Sequence, residues 1–161
     1  MRAEDAVIRV SNLALDPLTR EIHLAENTTV LLTDTVGFIR KLPHHLVASF
    51  SATLEEAMTA DVLLHAIDAS HPGWEEQKEV VEDVLRQLGL EERPTILVFN
   101  KMDRLTHGEE KAFRNRATAL FEGPAVFTSA VEAEGLAELK ALLLSELRKQ
   151  RPEVLVQIPY A

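Results

Sequence analysis

The stretch Thr95-Ile96-Leu97-Val98-Phe99-Asn100-Lys101-Met102-Asp103 is the most informative part of this 161-residue sequence. Its first five residues predict a short strand buried on both faces of a sheet. The polar residues Asn100, Lys101 and Asp103 follow directly, at positions where a buried core has no use for them. In parallel α/β sheets, ligand sites lie beyond the carboxyl ends of the strands. The stretch therefore predicts both a fold class and the place of a binding site.

Strand-like and helix-like patterns alternate on both sides of this stretch, and such alternation is typical of a parallel α/β sheet. Residues 19–24 and 28–33 predict a hairpin that turns at Ala25-Glu26-Asn27. Short apolar runs predict further strands over residues 62–67, 125–127 and 154–158. Apolar residues at helical spacing predict helices over residues 42–58, 80–88, 109–121 and 136–147, and Gly89 is placed to end the second of these.

Composition restricts the function classes. The net charge is −9, which disfavours an isolated nucleic-acid-binding module, because binding phosphates requires clustered Lys and Arg. The sequence has no cysteine, so disulfides and thiolate metal sites are excluded. No apolar run reaches the length of about 20 residues that a membrane span needs. The acidic start, which does not resemble a signal peptide, and the absence of cysteine fit a cytoplasmic protein, and we expect that location.

Asn100-Lys101-Met102-Asp103 has side chains suited to reading a guanine base. A carboxylate such as that of Asp103 accepts two hydrogen bonds from the ring NH and the exocyclic amine of guanine, which adenine cannot supply. Asn100 would tie neighbouring loops together, and the aliphatic stem of Lys101 could lie along the face of the base. The alternative is a simple cap for the following helix, but the position after a buried strand favours binding.

Two other strand ends carry polar residues in the same chain order. Asp34-Thr35-Val36-Gly37 follows the hairpin, where an acid can hold the shell of a Mg²⁺ ion and a glycine lets the backbone approach a phosphate. Thr128-Ser129-Ala130 follows the strand at residues 125–127. Taken separately, the first could be an ordinary turn and the second an ordinary helix cap. Together with the Asn100 motif they form a much more specific pattern.

This pattern resembles the later guanine-nucleotide motifs of translation-factor-like GTPases, and the flanking residues are similar to the HflX family. The similarity runs from about Leu13 to the C-terminus. The similar stretches are Leu15-Asp16-Pro17-Leu18-Thr19-Arg20, Thr33-Asp34-Thr35-Val36-Gly37-Phe38-Ile39-Arg40-Lys41-Leu42-Pro43 with His44-His45-Leu46-Val47, Ala52-Thr53-Leu54-Glu55-Glu56, and Ile67-Asp68-Ala69-Ser70-His71-Pro72.

The resemblance implies a three-layer P-loop-GTPase-like fold with helices on both faces of the sheet. It also implies GTP or GDP as ligand with Mg²⁺ as cofactor, GTP hydrolysis, and the large ribosomal subunit as partner. Carried over by position, Asp34 would face Mg²⁺. The nucleotide-binding residues would be Asp34, Thr35, Val36, Gly37, Asn100, Lys101, Met102, Asp103, Thr128, Ser129 and Ala130. No catalytic side chain is assigned, because Phe38 stands where a glutamine could orient the attacking water, and slow turnover is expected.

Two departures from the family pattern bear on function. The sequence contains no Gly-x-x-x-x-Gly-Lys-Ser/Thr loop, whose backbone NH groups and lysine bind phosphates. Ala14 stands at the position of a switch I threonine that ligates Mg²⁺, and alanine offers no oxygen. We therefore expect a partial, truncated G domain over residues 1–151, and the start of a truncated C-terminal segment over residues 152–161. Whether such a chain is an enzyme is left open.

The missing loop would also remove the central first strand of the sheet, between the strand at residues 28–33 and the strand at residues 62–67. Unpaired edges are costly, so three repairs are possible. The two neighbouring strands pair directly, residues 6–10 fill the gap, or a partner fills it.

Two alternative functions remain. One is a non-catalytic remnant of a G domain that acts as a binding module, with weak or no nucleotide binding. The other is a phospho-acceptor signalling domain, which would use Asp34, Asp68 and Lys101 at strand ends. The second alternative leaves Asn100, Asp103 and the Ser129-Ala130 pair without a role.

Overall fold

The computed structural model describes residues 18–25, 28–34 and 57–150. Strand β1 (Leu18–Ala25) and strand β2 (Thr28–Asp34) form an antiparallel hairpin, as the sequence predicts. Strands β3 (Leu63–Asp68), β4 (Thr95–Asn100) and β5 (Ala125–Phe127) form a parallel sheet in the order β3-β4-β5. These two sheets carry the candidate site residues.

A helix follows each of the parallel strands. These helices are α1 (Trp74–Gln87), α2 (His107–Leu120) and α3 (Leu136–Lys149), and a short 3₁₀ helix, Met102–Arg104, follows β4. The α/β fold class with a parallel sheet is thereby confirmed. Helix α1 ends at Gln87, and Gly89 follows the helix end as predicted, with a φ of 69° that suits glycine. Leu90 N donates to Leu85 O and Gly89 N to Arg86 O, which satisfies carbonyls that the helix end would leave unpaired.

The core lies on both faces of β4. On one face Phe99 packs with Trp74 and Ala117, from α1 and α2. On the other face Ile96 and Val98 pack with Val126 and Leu139, from β5 and α3. Helices therefore cover both faces of the parallel sheet, and they hold the carboxyl ends of its strands in fixed positions.

The hairpin and the parallel sheet form two distinct sheets among the described residues. Strands β2 and β3 are not hydrogen-bonded to each other, so direct pairing of these neighbours, one of the three expected repairs, is wrong. Among the described residues β2 pairs only with β1, and β3 pairs only with β4, so each of these two strands is paired along one edge. Residues 6–10, most of the predicted helix at 42–58 and the predicted strand at 154–158 lie outside the described residues. No helix in the described ranges is long and apolar enough to cross a membrane.

Candidate functional site

Three parallel strands bring their polar ends to one edge of the sheet. The register pairs Asp68 with Asn100 and Phe99 with Phe127, so the loops after β3, β4 and β5 begin side by side. Ala69 N donates to Asn100 O at 2.9 Å, and Thr128 N donates to Phe99 O at 2.8 Å. The predicted motifs after β4 and β5 are therefore neighbours in space.

Asn100 joins the loop after β4 to the loop after β5. Its Oδ1 accepts hydrogen bonds from Lys101 N at 2.8 Å and from Ala130 N at 3.1 Å. The Thr128 hydroxyl lies 3.4 Å from the same oxygen. The sequence assigned Asn100 the role of tying neighbouring loops, and this geometry is the one that role requires.

Ser129 holds the side chain of Asp103 through a hydrogen bond. The fully buried Ser129 hydroxyl donates to Asp103 Oδ1 at 2.6 Å, while Asp103 itself is exposed. Met102 N donates to Thr128 O at 3.1 Å and its side chain is buried in the core, which anchors the short helix that carries Asp103. A carboxylate that is fixed at one oxygen and open to solvent can accept hydrogen bonds from a ligand without first reorganising.

The loop after β5 closes on itself. Ser129 and Glu134 exchange two backbone hydrogen bonds of 3.1 and 3.2 Å, and Glu132 N donates to Ser129 Oγ at 3.1 Å. Gly135 then enters α3 with a φ of 74°, and a Cβ at this position would overlap the carbonyl oxygen of Phe127. Only glycine fits here, because both the conformation and the space exclude a side chain.

Lys101 also contacts Asp68, a residue outside the predicted base site. Its Nζ lies 2.7 Å from Asp68 Oδ2, across from β4 to the end of β3. Partial burial raises the pKa of Asp68, but hydrogen bonds from Lys101 and Ser70 outweigh it, and the pKa is lower than usual. The signal available in the sequence was an acid at the last position of the neighbouring strand. That signal becomes specific only when the strand order and register are known.

Asp34 stands apart from this network. It is half-buried at the end of β2, and no hydrogen bond or ion pair between described residues joins it to Asp68 or Lys101. The phospho-acceptor alternative, which needs all three, gains only the Asp68–Lys101 pair. Thr35, Val36 and Gly37 lie outside the described residues. Within the described ranges no group of three or more His, Asp or Glu side chains could hold a metal ion.

Comparison with known families gives a match over most of the chain. A family model described as "50S ribosome-binding GTPase" matches residues 3–101. The chain is 47% identical over 135 residues to GTPase HflX of Magnetococcus marinus, covering 84% of this chain and 29% of that protein. It is 39% identical over 145 residues to GTPase HflX of Escherichia coli, covering 90% of this chain and 33% of that protein. The chain thus spans about a third of the length of these relatives.

Solved structures are similar in fold. The structure described as an SsGBP and GDP complex superposes with a TM-score of 0.67 at 25% identity, covering 83% of this chain and 43% of that one. The translation elongation factor SelB of Methanococcus maripaludis, in complex with a GTP analogue, gives a TM-score of 0.64 at 20% identity. That match covers 87% of this chain and 30% of SelB, and it shows the fold alone.

Proposed function

This chain belongs to the 50S ribosome-binding GTPase family and is of the HflX type, and we propose that it binds guanine nucleotides through the loops after β4 and β5. The observation that carries the proposal is the interlocked pair of loops, in which Asn100 holds Ala130 and Ser129 holds Asp103. Nucleotide binding by this chain, GTP hydrolysis and a ribosomal partner all belong to the proposal.

Guanine selection follows from the position of Asp103. Its exposed carboxylate would accept the ring NH and the exocyclic amine of guanine, while Ala130 would back the base and the Lys101 stem would cover one face. Adenine offers no such pair of donors, so it would leave the carboxylate unpaired. Sites built on such hydrogen bonds discriminate against a partner that lacks the donors, so AMP should bind more weakly than GMP.

Mg²⁺ would be held mainly by the nucleotide. Mg²⁺ in nucleotide sites is typically bound by one or two carboxylates together with phosphate oxygens and waters. In the part of the chain that the structure describes, Asp34 is the carboxylate at the strand end where the family resemblance puts the ion. Ala14 adds no oxygen ligand. The donors therefore fit Mg²⁺ only when phosphates complete the shell, and the ion would then screen charge on the phosphates during hydrolysis.

A second candidate function is a binding module that recognises the guanine base without binding the phosphates. It is favoured by the absence of a Gly-x-x-x-x-Gly-Lys-Ser/Thr loop from this sequence. That loop supplies most of the phosphate contacts in GTPases. For this 161-residue chain we expect guanine-specific binding that is weak, with a Kd on the order of 1 mM, equivalent to about −4 kcal/mol.

Titration with GMP and AMP, followed by chemical-shift changes in ¹⁵N-labelled protein, tests the base specificity. GMP should shift the amides of Lys101, Asp103 and Ala130, and AMP at the same concentration should not. Asp103→Asn should abolish the GMP shifts. The matched control is Asp83→Asn, which removes an exposed carboxylate paired with Arg86 on α1. Equal shifts with GMP and AMP, or unchanged binding by Asp103→Asn, would contradict the proposal.

Association with the large ribosomal subunit rests on the family alone. A cytoplasmic location would follow from such a partner. Co-sedimentation of the chain with purified large subunits on a sucrose gradient tests this part, with small subunits as the control. We expect enrichment with the large subunit that increases in the presence of GTP, and equal recovery with both subunits would refute it.

A further inference from the structure

We propose that Asp68 is a positioning residue of the guanine site, which acts by holding the Lys101 side chain in place across the strand ends. The inference rests on the proposed function, because Lys101 is useful there only if its stem lies along a base. It adds to the assigned motif a residue from a different strand, β3.

The backbone of Lys101 directs its side chain toward β3. Lys101 has a φ of 67° and a ψ of 33°, the left-handed conformation that residues other than glycine seldom adopt. The hydrogen bond from Lys101 N to Asn100 Oδ1 holds this turn. Because the strand direction is broken at this residue, the side chain crosses the sheet edge, and its Nζ reaches Asp68 Oδ2 at 2.7 Å.

The Asp68 carboxylate is also held by hydrogen bonds from a residue other than Lys101. Its Oδ1 accepts hydrogen bonds from Ser70 N at 3.0 Å and from Ser70 Oγ at 2.6 Å. The hydrogen bond from Ala69 N to Asn100 O joins the following residue to β4. Both carboxylate oxygens are thus engaged, and the carboxylate is a rigid acceptor at the end of β3.

The Lys101–Asp68 ion pair positions the lysine side chain and adds little to the stability of the fold. The side chains of Lys101 and Asp68 are 42% and 28% exposed, and ion pairs this exposed stabilise a fold little. A lysine has four rotatable bonds, and ordering it on binding reduces affinity. Because Asp68 orders the ammonium end in advance, the four-carbon stem is already in place when a base arrives. Releasing it should weaken binding about 3- to 10-fold.

A double-mutant cycle on the full chain, with GMP as the probe, tests the inference. Asp68→Asn should raise the Kd for GMP about 3- to 10-fold, while Asp83→Asn leaves it unchanged. In a Lys101→Met background, Asp68→Asn should have no further effect, because the lysine through which it acts is gone. Thermal melts followed by circular dichroism verify that each variant is folded.

A second readout does not require nucleotide. Titration of the Asp68 carboxyl by NMR in the ligand-free chain should give a pKa below the usual value, and Lys101→Met should raise it. An unchanged Asp68 pKa in Lys101→Met would overturn the inference. So would unchanged or tighter GMP binding by Asp68→Asn, or an equal loss in both backgrounds.

The outcomes separate the two proposals. If the wild-type chain binds GMP and Asp68→Asn binds equally well, the positioning role alone is wrong. If the wild-type chain fails to distinguish GMP from AMP, the proposed function is wrong and the positioning role falls with it.

Discussion

The parallel sheet and the hairpin differ in how firmly they hold their polar ends. In β4, four consecutive residues from Ile96 to Phe99 are buried, and the loops that follow β4 and β5 are joined by hydrogen bonds. In the hairpin, Leu31 is 73% exposed, and the side-chain hydrogen bonds between Thr19 and Thr33 and between Thr29 and His23 are exposed as well. The residues proposed to read the base thus stand on a packed core, whereas Asp34 stands at the end of a hairpin that pairs with no other described strand.

This difference indicates where function depends on stability. A hairpin in which none of the described side chains is fully buried opens at lower free energy than a strand packed on both faces. The base site should therefore persist as long as the parallel sheet is folded. Contacts between Asp34 and a ligand should depend on how much the bound ligand stabilises the end of the hairpin. Two comparisons of matched variants would test this contrast, and a third would test how firmly the loop after β5 is held.

The largest expected effect is on the core beneath the base loops. Phe99 is fully buried, with its ring centroid 5.5 Å from that of Trp74 and 5.3 Å from that of Phe127. Phe99→Ala should lower the free energy of unfolding by about 3–5 kcal/mol and abolish GMP binding. Leu31→Ala in the exposed hairpin should change the free energy of unfolding by less than about 0.5 kcal/mol. Urea unfolding followed by far-UV circular dichroism measures both, and similar losses would remove the contrast between the two regions.

The next prediction separates two costs of replacing a glycine, the strain of a left-handed backbone conformation and the overlap with neighbouring atoms. Gly89→Ala places a side chain at a φ of 69° in open space, and should lower the free energy of unfolding by about 1–2 kcal/mol. Gly135→Ala adds an overlap with Phe127 O at a φ of 74°, so its loss should be larger. It should also shift the NMR signals of the Ser129 loop. If the two variants are equally stable, the loop after β5 tolerates movement and does not fix Asp103 as described.

An effect of similar size concerns pH. Burial lowers the pKa of His65 on β3 to about 4, opposed by the nearby Glu82 carboxylate and assisted by Lys78. An unfolded histidine has a pKa near 6.5, so between pH 6.5 and 4 the unfolded state binds a proton that the folded state does not. Stability should fall as the pH is lowered through this window, by about 2 kcal/mol at pH 5 from this group.

The control for this pH effect is a histidine in the hairpin. His65→Gln should flatten the dependence of unfolding free energy on pH between 7 and 5, whereas His23→Gln on the exposed hairpin should leave it in place. Urea unfolding at the two pH values measures the slopes. A wild-type slope in His65→Gln would show that this histidine is not held neutral by the fold.

Local pattern predicted the elements of the fold well. Residues 125–127 were predicted as a strand with the bounds that the structure gives to β5, and Gly89 follows the end of its helix because glycine alone adopts that conformation without cost. These features depend on a few neighbouring residues, which a single sequence displays. The same holds for Asn100 and Ser129, whose chain order and position after strands placed them together.

The features that the sequence did not assign to the guanine site depend on pairing between distant segments. Asp68 and Lys101 were expected together only in the phospho-acceptor alternative, and their contact requires that β3 and β4 be parallel neighbours in a register that sets Asp68 beside Asn100. Direct pairing of β2 with β3 was one expectation and is wrong, since an apolar run does not state which strand lies beside it. The need for glycine at position 135 arises from the carbonyl of Phe127, which no local pattern reveals.

The most direct test of the contrast is to compare GMP, GDP and GTP, each with and without Mg²⁺, on the same ¹⁵N-labelled chain. If this chain recognises guanine through the base loops alone, the three nucleotides should bind with dissociation constants within about threefold of one another. Mg²⁺ should then change none of them, and Asp103→Asn should abolish all three. Binding that strengthens by orders of magnitude from GMP to GTP, and further with Mg²⁺, would contradict recognition through the base loops alone, because the hairpin end would then form a working phosphate site.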